Sequence, residues 1–273
     1  MSRISLVISD VDGTLLTPDK ILTQQAVDAV ARLRAAGIGF TVVSSRPIIG
    51  MGFLVEPLGL TLPIGAFNGS SIVDPTLHPI EQHAIPMEAA KRSLDFLQQI
   101  GIDSWLFTGD SWLIRNLEGS YVAHERHAIR AEPTVIDSFA PYLSSACKIV
   151  GACADAERLQ HCERTLQSML GAEATAIRSQ SYYLDVTPPG YNKGTFVRAL
   201  ARHTHTPLGS IATLGDMQND LAMFEVSGIS FAMGNASDSV KTRASRVTTS
   251  NTEEGFAMAI DAILALNQQA WLG

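Results

Sequence analysis

The residues of this chain best suited to chemistry stand near its start, in the run Asp10-Val11-Asp12-Gly13-Thr14. Two carboxylates lie two positions apart, a glycine and a hydroxyl residue follow, and the run comes directly after the apolar segment Ile4–Ile8. A compact acidic turn of this composition is suited to metal-assisted phosphoryl chemistry. A calcium loop is the alternative reading, and it fails because Leu15 and Ile21 stand where such a loop needs glycine and glutamate.

Similar polar groups follow other apolar segments further along the chain. They are Ser44, Lys193, and the acidic group Asp216, Asn219 and Asp220. Carboxylates that converge on one cleft repel each other by about 4 kcal/mol per pair at about 4 Å and an effective dielectric of roughly 20. Such a site calls for a cation, and ligands that are all oxygen atoms indicate Mg²⁺.

Short apolar segments that alternate with helical patterns must position these groups. Ile4–Ile8, Ile38–Val43 and Pro63–Phe67 read as strands, and apolar residues at helical spacing separate the first two. The alternation resumes near the end, with strands at Ile211–Leu214 and Ile229–Ala232. Because each strand leads into a polar loop, we predict an α/β fold with a Rossmann-like parallel-sheet core. Its site would lie at the carboxyl ends of the strands.

Residues 84–188 break this alternation. The segment reads as a helix, a hairpin around Gly109-Asp110, and then further helices and strands, which is α+β order. Pro188-Pro189-Gly190 marks its exit. We therefore predict a discontinuous core domain of residues 1–83 and 189–273, with an inserted α+β domain between its two parts.

Composition bounds the class of protein. A net charge of −7 and a pI near 5.5, without a Lys/Arg cluster, argue against a nucleic-acid or membrane-surface binder. Cys147, Cys153 and Cys162 lack C-x-x-C spacing and fit reduced thiols in the core. His124-Glu125-Arg126-His127 predicts a solvated helix face, because its histidines are three apart. Without a signal-peptide pattern or a membrane-span window, we expect a cytoplasmic protein.

With these positions assigned, the chain resembles the phosphatases of the haloacid dehalogenase superfamily, specifically the Cof-type branch. The family motif D-x-D-G-T-L corresponds to Asp10–Leu15, its hydroxyl motif to Ser44, its lysine to Lys193, and G-D-x-x-N-D to Gly215–Asp220. Asn68-Gly69 adds to the likeness. The resemblance covers essentially the whole chain and implies an αβ cap, in agreement with the inserted segment.

The resemblance also implies a role for each main site residue. Asp10 is the nucleophile, which attacks phosphorus and forms an aspartyl-phosphate. Asp12 protonates the leaving alcohol and then takes a proton from the attacking water. Asp10, Asp12 through its backbone carbonyl, and Asp216 hold Mg²⁺. Ser44 donates a hydrogen bond to a phosphate oxygen, and Lys193 neutralises charge on the nucleophile and the transferring group.

The remaining candidates have supporting roles or two open readings. Asp220 and Asn219 are implied to fix the metal shell and the neighbouring loops, and Asn219 is also a candidate phosphate-binding residue. Asn68 and Gly69 form a structural turn or bind substrate. Arg46 binds substrate or makes an ordinary salt bridge.

We therefore predict a Mg²⁺-dependent phosphatase for small phosphorylated metabolites. Sugar phosphates are the leading substrate class by resemblance, and cofactor or nucleotide phosphates such as pyridoxal phosphate come next. A phosphomutase of the same superfamily and a non-catalytic metabolite-binding sensor are the alternatives. Isomer formation without free phosphate would identify the first, and binding without any phosphate release would identify the second.

Overall fold

The computed structural model describes residues 3–269. Its strands and helices are numbered here in chain order. The strands are β1 Leu6–Ser9, β2 Gly39–Val42, β3 Ile64–Ala66, β4 Ser71–Val73, β5 Pro79–Gln82, β6 Asp103–Phe107, β7 Trp112–Ile114, β8 Thr134–Val135, β9 Lys148–Ala152, β10 Thr175–Gln180, β11 Tyr183–Thr187, β12 Ile211–Gly215, β13 Ile229–Ala232 and β14 Arg246–Val247. The helices are α1 Gln24–Ala35, α2 Gly52–Leu58, α3 Met87–Gln99, α4 Val122–Ile129, α5 Ala156–Leu170, α6 Lys193–His203, α7 Leu221–Phe224, α8 Asp238–Lys241 and α9 Gly255–Gln269.

Five parallel strands form the sheet that carries the predicted chemistry, in the order β14-β13-β12-β1-β2. The register places Ser9 beside Val42 on one side and beside Leu214 on the other. β1, β12 and β13 are buried along their whole length, as near-continuous apolar runs in a parallel sheet require. The predicted parallel α/β core is confirmed, and the carboxyl ends of its strands meet at one edge.

Local signals in the sequence set the limits of α1. The side-chain oxygen of Thr23 accepts a hydrogen bond from the backbone N–H of Ala26 at 3.2 Å, which caps the first turn. The helix ends before Gly37, whose φ of 70° suits a residue without Cβ. Its buried side chains recur at helical spacing and face inward; they are Ala26, Ala29, Val30 and Leu33.

A second sheet has six strands in the order β10-β11-β9-β6-β7-β8. Its neighbours are antiparallel except β7 and β8, which pair in parallel. The apolar faces of α3 and α5 pack against this sheet and give it a hydrophobic core of its own, which includes Leu94, Leu97, Leu106, Ile149, Leu159, Leu166 and Leu184. The α+β character predicted for the inserted segment is thereby confirmed.

The described chain forms two compact units. The first unit contains the described residues up to Ser44, Phe53–Gly65, and the described residues from Asn192 onward. The second unit contains Ser45–Gly52 and Ala66–Tyr191. It therefore includes the antiparallel pair β4–β5 and a short segment that directly follows Ser44. The division predicted from the sequence has its boundaries at other positions, between residues 83 and 84 and between residues 188 and 189. That division stays a prediction.

The prediction of a solvated face for His124–His127 is wrong at one position. Glu125 is buried with 6% of its surface exposed, and only the His127 side of α4 faces solvent fully. His124 lies against the ring of Tyr182, with ring centroids 5.3 Å apart. Histidine spacing within the motif carried no information on which helix face packs inward.

The cysteines agree with the expectation of reduced thiols. All three are free, with Cys147 and Cys162 buried and Cys153 half-buried. Among the helices formed by residues 3–269, none combines the length and the apolar character that a membrane crossing requires.

Candidate active site

Three buried carboxylates meet at the carboxyl edge of the parallel sheet. Asp10 follows β1, Asp216 follows β12, and Asp220 ends the 3₁₀ turn after Asp216. One oxygen from each carboxylate lies within 4.8 Å of those of the other two. Asp220 is fully buried, and Asp10 and Asp216 are buried nearly as completely. The structure thus brings together acidic residues that are more than 200 positions apart, as the strand order predicts.

Lys193 lies between two of these carboxylates. Its Nζ donates to Oδ1 of Asp10 at 2.5 Å and to Oδ1 of Asp220 at 2.6 Å. Lys193 is the first residue of α6, and a capping box fixes that end of the helix. Oδ1 of Asn192 accepts from the Thr195 N–H, and Oγ1 of Thr195 accepts from the Asn192 N–H, both at 3.0 Å. The ammonium is therefore held by its helix as well as by its ion pairs.

The second oxygen of Asp220 holds the turn that carries Asp216. Oδ2 accepts hydrogen bonds from the backbone N–H groups of Asp216 at 2.8 Å and Met217 at 2.9 Å. A Cβ on Gly215 would lie 2.4–2.6 Å from atoms of the Asp220 side chain, so this approach requires a glycine. Asp220 is thus bonded on both oxygens, which supports an orienting role.

Burial and like charge determine the protonation of the group. Burial, together with the Asp220 and Asp12 charges and against the opposing effect of Lys193, raises the pKa of Asp10 to about 7. Burial and the Asp10 charge likewise raise the pKa of Asp216 well above its ordinary value. Burial alone would lower the pKa of Lys193, but its two carboxylate partners outweigh burial and raise it.

This charge distribution fits a divalent cation. When all three carboxylates are ionised, one ammonium leaves two negative charges in a buried space, and a bound cation would offset their repulsion. The donor atoms are all oxygens, which suits a hard ion such as Mg²⁺. Within residues 3–269, no other group of His, Cys, Asp and Glu side chains has this arrangement.

Asp12 lies outside the three-carboxylate group. Its Oδ1 is 2.7 Å from Nζ of Lys20, and both side chains are mostly shielded from solvent. Lys20 was not predicted from the sequence, because a lysine in a loop gives no indication of the carboxylate that it contacts. Its φ of 60° places it in the left-handed region, uncommon for a residue with a Cβ.

Two further donors to Asp216 were missed. Oγ1 of Thr14 donates to Oδ1 at 3.2 Å, and Nδ2 of Asn235 donates to Oδ2 at 3.3 Å and to the Gly13 carbonyl at 2.9 Å. Asn235 follows β13, so its place after a fourth strand end was the signal that could have identified it. These contacts tie the loop after β1 to the loop after β12.

Gly13 is expected to tolerate no side chain. An added Cβ would lie 2.3 Å from Oδ2 of Asp216, at a backbone φ of 83°. Gly37 is a matched control, because its φ is 70° and nothing lies within 4 Å of an added Cβ. We expect Gly13→Ala to lower the free energy of unfolding by about 1–3 kcal/mol more than Gly37→Ala, since only the former displaces a buried side chain. Urea unfolding of both variants measures the difference, and equal losses would show that the contact with Asp216 is unimportant.

The other predicted residues divide between the two units. Ser44 is buried at the end of the first unit's β2 region, where its N–H donates to the Gly65 carbonyl at 3.0 Å, and Asn219 is buried in the turn before α7. Arg46 and the Asn68-Gly69 pair belong to the second unit. The guanidinium of Arg46 is buried and donates to the backbone carbonyls of Gly50 and Ala128, and both readings of this residue, substrate binding and a salt bridge, stay predictions.

Comparison with known proteins agrees with this geometry. The model of the haloacid dehalogenase-like hydrolase family matches residues 7–260. The chain is 26% identical over 265 residues to the pyridoxal phosphate phosphatase of Escherichia coli strain K12, covering 93% of this chain and 97% of that protein. It is 28% identical over 281 residues to a 5-amino-6-(5-phospho-D-ribitylamino)uracil phosphatase of Bacillus subtilis strain 168, covering 94% and 96%.

A solved structure gives the same result for the fold. The crystal structure of a haloacid dehalogenase-like hydrolase from Bacteroides thetaiotaomicron matches with a TM-score of 0.84 at 25% identity, covering 96% of this chain and 100% of that one. Both the parallel core sheet and the additional sheet of the second unit therefore have counterparts in a known fold.

Proposed function

Because the chain belongs to the haloacid dehalogenase-like hydrolases, we propose that it is a Mg²⁺-dependent phosphatase for small phosphorylated metabolites. Hydrolysis would pass through an aspartyl-phosphate on Asp10. The observation that carries this proposal is the buried contact of Lys193 with Asp10, next to Asp216 and Asp220. An isolated acidic turn does not need such a cluster, whereas transfer of an anionic group to a carboxylate does.

Two residues carry the proposed bond changes. In the first step, an oxygen of Asp10 forms a bond to phosphorus while the bond to the leaving alcohol breaks, and Asp12 gives the alcohol its proton. In the second step, water attacks phosphorus, Asp12 takes a proton from the water, and the Asp10 carboxylate is released. Lys193 remains positively charged throughout, because its two carboxylate partners raise its pKa. It holds Asp10 in place and attracts the phosphate.

The proposed ligands of Mg²⁺ are Asp10, Asp216 and the backbone carbonyl of Asp12. Asp220, whose oxygens already accept from Lys193 and two backbone N–H groups, is proposed to hold this arrangement from behind. When bound, the cation offsets the negative charge that otherwise opposes the approach of a phosphate to Asp10.

Mg²⁺ binding is expected to strengthen as pH rises and to release protons. Metal ligation requires ionised carboxylates, and burial raises the pKa of Asp10 to about 7. Near pH 6 most Asp10 carboxyls hold a proton that the metal must displace, and near pH 8 few do. We expect affinity to be about tenfold weaker at the lower pH. Calorimetry in buffers of different ionisation enthalpy measures both quantities, and equal affinity without proton release would contradict the assignment of Asp10 as a ligand.

Small phosphorylated metabolites are the proposed substrate class, with sugar phosphates first. The similarity to phosphatases of pyridoxal phosphate and of a phosphorylated ribitylaminouracil supports the broad class. We also propose that Ser44, Arg46, Asn68, Gly69 and Asn219 contribute to binding the phosphate or the rest of the substrate, and that residues 84–188 form the αβ cap. Asn68 supports this in one respect, because it is buried with a left-handed φ of 58°, and strained non-glycine residues gather at functional sites.

A phosphate-release screen tests the proposed function. The protein is incubated with Mg²⁺ and a panel of sugar, cofactor and nucleotide phosphates, with a chelator-treated sample of the same protein as the control. We expect release from several sugar or cofactor phosphates, and none after chelation. Isomer formation without free phosphate would instead identify a phosphomutase. Tight metabolite binding with no product would identify a sensor.

A further inference from the structure

A buried lysine in the second unit has no role in the mechanism above. Lys148 begins β9 and is 3% exposed. Its Nζ donates to Oδ2 of Asp185 at 3.2 Å and to the backbone carbonyl of Ser45 at 2.9 Å, and it lies 5.5 Å from the centre of the Phe107 ring. Burying an ammonium costs several kcal/mol, which Asp185 and the ring offset in part.

The bond to Ser45 is not required for charge balance, because Asp185 already provides the counter-charge. It joins residues 103 positions apart in sequence and reaches a carbonyl, not a carboxylate. The ammonium therefore makes a second interaction, with the backbone at Ser45, that charge pairing does not explain.

That backbone belongs to the Ser45–Gly52 segment, which follows Ser44 directly. The segment makes further hydrogen bonds to other parts of the second unit. The Arg46 guanidinium donates to the Ala128 carbonyl at 2.5 Å, and the Arg46 carbonyl accepts from the Phe67 N–H at 2.9 Å. Lys148 donates to this segment at Ser45, the residue that follows Ser44.

Hydrogen bonds hold the backbone at Ser44 and at the residue after it. The N–H of Ser44 itself donates to the Gly65 carbonyl at 3.0 Å. After it, the Ser45 carbonyl accepts from Lys148. The Ser45 carbonyl lies in the peptide plane that follows Ser45, so anchoring it restricts the path that the chain can take as it leaves Ser44.

We propose that Lys148 is a positioning residue for Ser44. By holding the Ser45 carbonyl, it sets the direction in which the Ser44 hydroxyl meets the phosphate group. This inference rests on the proposed function, in which Ser44 donates to a phosphate oxygen. Small displacements of such donors have large effects, since an error of about 1 Å can lower the rate by roughly 100-fold.

The test must remove the ammonium without leaving Asp185 buried and unpaired, because that alone would destabilise the fold. Asp185→Asn keeps Lys148 and its bond to Ser45, and it serves as the reference. Lys148→Met in the Asp185→Asn background removes the bond with little change in volume. If that pair does not fold by circular dichroism and thermal unfolding, Lys148→Met with Asp185→Leu is an apolar pair of similar size, and the same expectation applies to it.

Kinetics of p-nitrophenyl phosphate hydrolysis are then measured with and without Ser44→Ala, at a temperature at which all the proteins are folded. We expect Asp185→Asn to be within about twofold of the unmodified chain, and loss of Lys148 to lower kcat/KM by roughly 10- to 100-fold. In the Ser44→Ala background the same loss should shrink to about twofold or less, because the hydroxyl it positions is gone.

Each other outcome overturns the inference. An equal fall in kcat/KM with and without Ser44→Ala would mean that Lys148 does not act through Ser44. No fall in either background would mean that the bond to the Ser45 carbonyl does not affect catalysis. An equal fall in Asp185→Asn alone would assign the effect to the ion pair. If the unmodified protein hydrolyses no phosphate ester, the proposed function fails and this inference fails with it. If Asp10→Ala abolishes the measured hydrolysis, the activity belongs to the proposed site. The role of Lys148 can then be judged separately from the proposed function.

Discussion

Asp10→Asn is expected to stop turnover and, in the metal-free protein at pH 8, to raise stability. The amide is a poor nucleophile, so kcat should fall by roughly 10,000-fold or more. The pKa of Asp10 is raised from 3.8 to about 7 in the folded protein, so its contribution to stability is lost as pH rises between these values. Removing the charge should therefore stabilise the protein by about 1–3 kcal/mol at pH 8, discounted for the weakened contact with Lys193.

The size of this stabilising effect depends on pH, which makes it a sharp test. The gain should fade as pH is lowered toward 5, where Asp10 is protonated in the unmodified fold. Thermal unfolding in chelator at both pH values measures it, and Asp28→Asn, a change at an exposed carboxylate, is the matched control. An active Asp10→Asn protein would refute the nucleophile. Equal stabilities at pH 8 would refute the charge crowding.

Lys193→Met is expected to be inactive as well, but with the opposite change in stability. The substitution leaves Asp10 and Asp220 buried without their shared cation, and breaking a buried ion pair in this way costs about 3–5 kcal/mol. The loss should be largest above pH 7 and smaller near pH 5, because protonation of Asp10 relieves the repulsion there. Turnover should fall with it, since Lys193 would no longer hold the nucleophile.

Urea unfolding and phosphate release measure the two parts of this prediction. Lys91→Met is the matched control, because Lys91 pairs with Asp95 at 2.6 Å on the exposed surface, where such pairs contribute little. A Lys193→Met protein with normal stability would show that the buried contacts are not energetically coupled. Normal turnover would show that the lysine is dispensable for catalysis.

The parallel core was predictable because its signals are local. Apolar runs after which Asp10, Ser44 and Asp216 stand define strand ends, and parallel strands bring those ends to one edge. The side-chain contacts between the loops at that edge were not predictable. Asn235 follows a strand end, which marks it as a candidate but does not show that it contacts Asp216, and nothing in the sequence near Lys20 shows its contact with Asp12. These contacts depend on how loops from different strands close in space.

The second unit also has features that the sequence predicts and features that it does not. The hairpin of β6 and β7 followed from the turn residues Gly109-Asp110. The parallel pairing of β8 with β7 did not, since β8 has only two residues and no pattern of its own. The burial of Glu125 and Lys148 also escaped prediction, because charged residues are expected at the surface unless their partners are known.

Chemical trapping of the phosphorylated residue tests directly whether Asp10 is the nucleophile. The unmodified protein is mixed with Mg²⁺ and a good substrate, quenched in acid, and treated with borohydride, which reduces an aspartyl-phosphate to homoserine. Peptide mass spectrometry then locates the modified position. We expect homoserine at position 10 in the unmodified protein and none in Asp10→Asn. Trapping at Asp216 or Asp220, or no trapped residue in a protein that turns over rapidly under conditions where the intermediate accumulates, would contradict it.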